Sequence, residues 1–222
     1  MRGLRLITIK GTAPENPLAG PRPGGRMRIM PYTADTVLPE KTLSRAPQPV
    51  IAGGDGLVLR PWRAEDVSAV HAAFQDPLMH QWHLMRSDSQ AEAAGWIETW
   101  RKEWEGERRA QWAVVDADTD LLLGRVALRD ISLAEGVAKV AYWTTAAARG
   151  QGVAARATTA LTRWAFEEIG FHRLELLHAT ANQASCRVAA KAGFTLEGTK
   201  RSAFLHADGW HDMHLHARVR GD

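Results

Sequence analysis

A chain of 222 residues with a formal net charge of +3 can hold one sizeable domain plus an appendage, or two small domains. With 45% hydrophobic and 24% charged residues it has the composition of a globular protein whose core needs neither disulfides nor metals. The single cysteine, Cys186, excludes an internal disulfide framework and fits a reducing cytoplasm, the charge falls short of a nucleic-acid-binding signature, and no apolar run spans a bilayer. The opening MRGLRLITIK is too broken by charge to be a secretory signal.

Residues 1–50 are rich in Pro and Gly without helical or strand period, and read as a flexible tail and extended lead-in. Met27 and Met30 lie inside that tail and are alternative starts; its scattered arginines raise the idea of a nucleic-acid arm. From residue 51 onward the signals sharpen into one domain, 51–222. LVLRPW is a strand, RAEDVSAVHAAFQD a helix with Val67, Val70, Ala73 and Phe74 on one face, and SDSQAEAAGWIETWRKEWEGE a second helix with Ala93, Trp96, Ile97, Trp100 and Trp104 as its stripe. Between the two helices, MHQWHLMRSD reads as a connection. QWAVVDA, LLLGRVALRDIS and VAKVAYWTT form an antiparallel meander. QGVAARATTALTRWAFEEIG is a helix with Val153, Ala157, Leu161, Trp164 and Ala165 inward, HRLELLHAT a strand, and QASCRVAAKAG a short helix capped by Gly193. Two last strands meet at Asp208–Gly209, a favoured hairpin dipeptide. The order predicts a mixed α/β fold, a sheet with helices on its faces.

ARGQGVAAR, residues 148–156, joins a strand to a helix through two glycines. Free N–H groups in the first turn of a helix, with its dipole, make an anion cradle, and Gly150 and Gly152 tolerate positive φ. The spacing is neither that of a Walker loop nor G-x-G-x-x-G. Arg149, Gly150, Gln151, Gly152, Val153 and Ala154 do fill [RQ]-x-x-G-x-[GA]. ANQASCRVAAKAGF, residues 181–194, adds N-x-x-S followed by G-F.

These two patches, in this element order, resemble the GNAT superfamily of acyl-CoA-dependent N-acyltransferases, and its RimJ/RimL-type branch in particular. The resemblance covers the chain from Leu57 to the C-terminus. It implies an α+β GNAT fold: a mostly antiparallel twisted sheet splayed between its fourth and fifth strands, with helices on both faces. It implies acetyl-CoA as co-substrate, with the backbone of Tyr142, Trp143 and Thr144 pairing with the pantetheine arm. The amides from Arg149 to Ala154, including Gln151, would hold the pyrophosphate. Asn182 would contact pantetheine or cap its helix, and Ser185 would face the thioester sulfur. A tyrosine seven residues after this asparagine is common in the family; here Ala189 stands there, so Ser185 or water must protonate the departing thiolate.

The acceptor must be a neutral primary amine, either a protein or peptide N-terminus or a small molecule. His178, Glu175 and Asp212 are the candidate bases; His178, near the end of its strand, is favoured, and alternation keeps it and Glu175 on opposite faces. A backbone N–H near Trp143 or Thr144 would hold the oxyanion. Trp82, His80 and His83, between the first helices, would shape the acceptor pocket together with Asp212. Cys186 sits where a helix wants a small packing residue. Asp212, His214 and His216 share one strand face, but nothing else in the sequence completes a metal set, so no metal is expected. No membrane partner is expected, exposed strand edges leave room for a homodimer, and the alternative to an enzyme is an idle CoA-binding sensor.

Overall fold

The computed structural model describes residues 34–222, a compact unit; residues 1–33, with Met27 and Met30 and most of the expected tail, lie outside it. Eight strands form one sheet: β1 (Ile51–Gly54), β2 (Leu57–Pro61), β3 (Ala110–Asp116), β4 (Leu122–Ser132), β5 (Val137–Thr144), β6 (Arg173–Ala179), β7 (Thr195–His206) and β8 (Gly209–Val219). Their order is β1-β2-β3-β4-β5-β6-β8-β7. Every neighbouring pair is antiparallel except β5–β6.

Five α-helices flank the sheet: α1 (Val67–Ala73), α2 (Pro77–Trp82), α3 (Gln90–Glu103), α4 (Val153–Trp164) and α5 (Gln183–Lys191). Against one face, α1 and α3 bury Val70, Phe74, Ala93, Ile97 and Trp100 on Trp62, Val115 and Trp143. Against the other, α4 buries Val153, Ala157, Leu161 and Trp164 on Leu59, Trp112, Val126 and Leu176. The α3 stripe is divided between the two: Trp100 meets Trp62 in a tilted contact at 4.9 Å, whereas Trp104 meets Trp112 at 5.9 Å in the α4 core.

Two elements differ from the sequence reading. An additional strand, β1, pairs with β2, so the splayed strands are the fifth and sixth rather than the fourth and fifth. The connection after α1 contains α2, started by Pro77 at its first turn and by Asp76, whose side chain accepts the Leu78 N–H at 3.0 Å. That Asp-Pro pair is a helix-start signal hidden by the shortness of the helix. Residues 34–50 are docked. Leu38 and Leu43 join the core, and the Glu107 carboxylate accepts the N–H groups of Lys41, Leu43 and Ser44. The indoles of Trp104 and Trp112 donate to the Ala46 and Pro49 carbonyls.

Candidate active site

Pairing between β5 and β6 ends at Val140–Leu176, although β5 runs on to Thr144 and β6 to Ala179. The far end of β5 stays on β4, with Gly124 opposite Thr144, and the far end of β6 stays on β8, with Ala179 opposite Met213. The two ends part, and main-chain groups on the inner edge of β5 lose a strand partner. Gly124 is required here, because a Cβ on it would overlap the Trp143 carbonyl. A glycine inside a strand pattern marks such a close approach, and LLLGRVALRD contains one.

A cleft of about 470 Å³ opens at this parting. Tyr142, Trp143 and Thr144 line it, with Arg149, Gly150, Gly152, Val153 and Ala154 of the glycine turn, Asn182 and Ser185 at the start of α5, and Trp82 and His83 at the end of α2. Gly150 and Gly152 have φ of 77° and 76°, and a Cβ on either would meet nothing within 4 Å. Conformation, not space, calls for glycine at both. No side chain among the described residues caps the start of α4, whose first residues Val153 and Ala154 line the cleft mouth and leave N–H groups free for an anion. Gln151 points away and donates to the Ala147 carbonyl at 2.7 Å. Arg149 ion-pairs with Asp76 and thereby ties the glycine turn to α2. Burial raises the Asp76 pKa, but the Leu78 N–H and Arg149 outweigh it and hold the carboxylate below its ordinary value.

Asn182 caps α5, its Oδ1 accepting the Ser185 N–H at 3.0 Å. The Tyr142 phenol reaches the same turn, 3.5 Å from the Ser185 carbonyl oxygen, and burial pushes its pKa up to about 12. At the other end of the cleft, burial and then the field of Arg125 lower His83 to about 4. Arg125 itself, opposite Trp143 in the sheet, lies over Trp100 at 5.5 Å with no carboxylate partner among the described residues, and burial lowers its pKa to about 10.

The three candidate bases do not line this cleft. His178 is buried on the α5 side of β6, with Nδ1 2.9 Å from the Ala179 carbonyl and Nε2 3.2 Å from His216 Nε2. Glu175 ion-pairs with Arg173 at 3.1 Å. Asp212 is exposed and accepts the Ser202 N–H at 2.8 Å. Alternation did separate His178 from Glu175, but the cleft is lined from α2, β5, the glycine turn and α5, with no side chain from β6. The metal reading also changes: His214 and His216 gather with His178 and Cys186, leaving Asp212 out. The Tyr142 phenol, which the sequence reading used only for its backbone, reaches the cleft wall beside the Ser185 turn through strand register alone.

A mixed sheet parted at its one parallel pair, with an uncapped helix start at the mouth, is the architecture of acyl-CoA-dependent acyltransferases. Residues 56–195 match the model of the family described as acetyltransferase (GNAT) domain, and the chain belongs to that family. It is 24% identical over 167 residues to YoaA, an uncharacterized N-acetyltransferase of Bacillus subtilis, covering 75% of this chain and 94% of that one. The ribosomal-protein-serine acetyltransferase of Escherichia coli is 29% identical over 100 residues, 45% of this chain and 56% of that protein. Among solved structures, RimL, a ribosomal L7/L12 α-N-protein acetyltransferase in complex with coenzyme A, superposes with a TM-score of 0.72 at 22% identity, covering 77% of this chain and 98% of that one. The likeness is thus of the RimJ/RimL type, and the chain is an acetyl-CoA-dependent acyltransferase. No helix among the described residues is long and apolar enough to cross a membrane.

Proposed function

We propose that this enzyme transfers an acetyl group from acetyl-CoA to a primary amine by direct attack in a ternary complex. The protein N-terminal α-amine is the favoured acceptor. The observation that carries the reading is the cleft itself, where the unpaired edge of β5, the glycine turn and the Asn182–Ser185 turn face one space. The diphosphate sits on the amides from Arg149 to Ala154 and the pantetheine arm runs along Tyr142–Thr144 toward Asn182. The amine nitrogen attacks the thioester carbonyl, and a backbone N–H at the end of β5 holds the oxyanion. As the C–S bond breaks, the thiolate takes the proton of the Tyr142 phenol. The proton lost by the amine returns to the phenolate through water, giving an acetamide and CoA thiol. Ser185 positions the sulfur.

Two relatives whose names specify ribosomal-protein acetylation support the choice of an N-terminal acceptor. The charge of Arg125 supports a finer one. Its guanidinium does not line the cleft, but its field is felt at His83 on the cleft wall and favours an acceptor that brings a carboxylate there. In a turnover screen, peptides with an acidic second residue are expected to exceed basic ones in kcat/KM by at least about tenfold, equivalent to ~1.4 kcal/mol. Arg125→Met removes that preference; equal turnover of both sets by the native enzyme discards this acceptor class. No thiol release with any amine would overturn the transfer reaction itself.

Coenzyme binding has its own test. In Gly152→Val a β-branched residue is forced to φ 76°, costing about 1–3 kcal/mol, and its side chain stands over the anion cradle. Calorimetry should find acetyl-CoA bound roughly 30-fold more weakly, about 2 kcal/mol. Undiminished affinity would place the diphosphate elsewhere. Self-association belongs to the same reading: β7 is an edge strand exposing Leu196, Phe204 and Leu205, with Trp210 exposed on β8. Light scattering that gives only a 24.5 kDa species removes that part.

A further inference from the structure

Behind α5, away from the glycine turn, four side chains that the transfer reaction leaves unused converge. His178 comes from β6, Cys186 from the first turn of α5, and His214 and His216 from β8. One ligand atom of each lies within 4.8 Å of all the others. His178 and His216 are buried, with 5% and 3% exposure, and His214 and Cys186 are half-buried. We propose that these residues form a four-coordinate Cys-His₃ site for a borderline-soft divalent cation, Zn²⁺ by preference.

The geometry fits. Zinc bonds of about 2.0–2.1 Å to nitrogen and 2.3 Å to sulfur set tetrahedral ligand atoms roughly 3.3–3.6 Å apart. His178 Nε2 and His216 Nε2 already stand 3.2 Å apart. Bringing the widest of the remaining separations into range takes side-chain movement of about 1 Å. The ligands come from three elements, as tight sites require, and a thiolate with imidazoles selects zinc-like ions over magnesium or calcium.

The hydrogen bonds point the same way. His178 Nδ1 donates to the Ala179 carbonyl at 2.9 Å, so its Nε2 carries a bare lone pair aimed into the cluster. A backbone carbonyl behind a ligating imidazole is the usual way its tautomer is fixed. Without a metal, the facing His216 Nε2 must hold the proton between the two rings. That leaves His216 Nδ1 as a buried acceptor, and it has no hydrogen-bond partner among the described residues. His214 Nδ1 is buried and unpartnered as well. With a cation in place, His216 Nε2 is a ligand and Nδ1 carries the proton. Binding releases the thiol proton of Cys186 and pins the first turn of α5 to β6 and β8.

The test uses the full chain without an affinity tag, stripped with chelator and titrated with Co²⁺, then Zn²⁺. One equivalent of Co²⁺ should give a thiolate-to-cobalt charge-transfer absorption with intense four-coordinate ligand-field bands, and Zn²⁺ should abolish both stoichiometrically. Cys186 is the sole cysteine, so the charge-transfer band can arise nowhere else. C186S should lose that band and bind zinc more than about 100-fold more weakly, beyond the 10–100-fold seen for changes behind a ligand. H214Q should keep the band at a weakened affinity, and H211A, among the histidines of the β7–β8 hairpin, should change nothing. Cobalt binding without a thiolate band, no cobalt binding, or zinc affinity unchanged in both C186S and H214Q overturns the site.

Discussion

Tyr142→Phe is expected to lower kcat about 100-fold, ~2.7 kcal/mol of transition-state stabilisation, while KM for acetyl-CoA stays within about threefold. The phenol lines the cleft and is the side chain that reaches the Ser185 turn from β5. The ring fills the same space as phenylalanine, and the hydroxyl gives up only a long contact to the Ser185 carbonyl, so folding should suffer by less than about 1 kcal/mol. The pH profile supplies an independent reading. With its pKa pushed up to about 12 by burial, the phenol stays protonated across the working range. An acid is lost only as pH rises through its pKa, so no descending alkaline limb should occur below about pH 11. The ascending limb belongs to the acceptor, whose neutral fraction grows up to its α-amine pKa near ~8. A Tyr142→Phe enzyme with kcat within threefold of native would give the proton transfer to Ser185 or water. A limb falling near pH 8–9 would require a different acid altogether.

The second large effect is on stability. Arg60 is buried on β2 and held in a fork by Asp66, with Nη–Oδ distances of 2.8 and 2.9 Å; its Nε donates to Asp120 at 2.8 Å. Asp66 is buried too and accepts the Arg63 N–H at 2.8 Å, which fixes the entry to α1. Asp66→Ala leaves a buried guanidinium with the half-exposed Asp120 as its one charged partner among the described residues, besides the Pro61 carbonyl. Breaking a buried pair costs about 3–5 kcal/mol, and the remaining carboxylate puts this case near the lower figure, roughly 3 kcal/mol. For a unit of this size thermal unfolding should begin to occur roughly 6–12 °C lower. The pair Asp66→Ala with Arg60→Met should regain most of that loss, because no unpaired charge is left. A melting temperature within 2 °C of native for the single variant would show that Asp120 and water suffice. Neither residue lines the cleft, so folded Asp66→Ala should bind acetyl-CoA within about twofold of native.

The features legible in the sequence were those whose chemistry is contiguous. Gly150 and Gly152 sit where the chain needs positive φ, Asn182 three residues before the N–H it accepts, and Val153, Ala157, Leu161 and Trp164 at the period of a helix that buries them. Each depends on a few neighbouring residues and would read the same on any scaffold. Family membership followed from two such patches in one order of elements. Short elements were less legible. The six residues of α2 and four of β1 are too few for a periodic signal, and packing against the larger elements settles them.

What only the tertiary structure decided was which side chains meet across strands. His178 sits at the end of the strand that borders the opening, yet the twist and pairing of β6 with β8 turn it toward His214, His216 and Cys186 instead of the cleft. Tyr142 finds the α5 turn 43 residues away, and Arg125 meets Trp100 across the sheet face. The sequence determined the backbone cradle and the fold that carries it, because dihedral and capping preferences act over a few bonds. The place of the Tyr142 phenol on the cleft wall and the histidine–cysteine cluster depend on register, where one residue of slip turns every side chain to the opposite face.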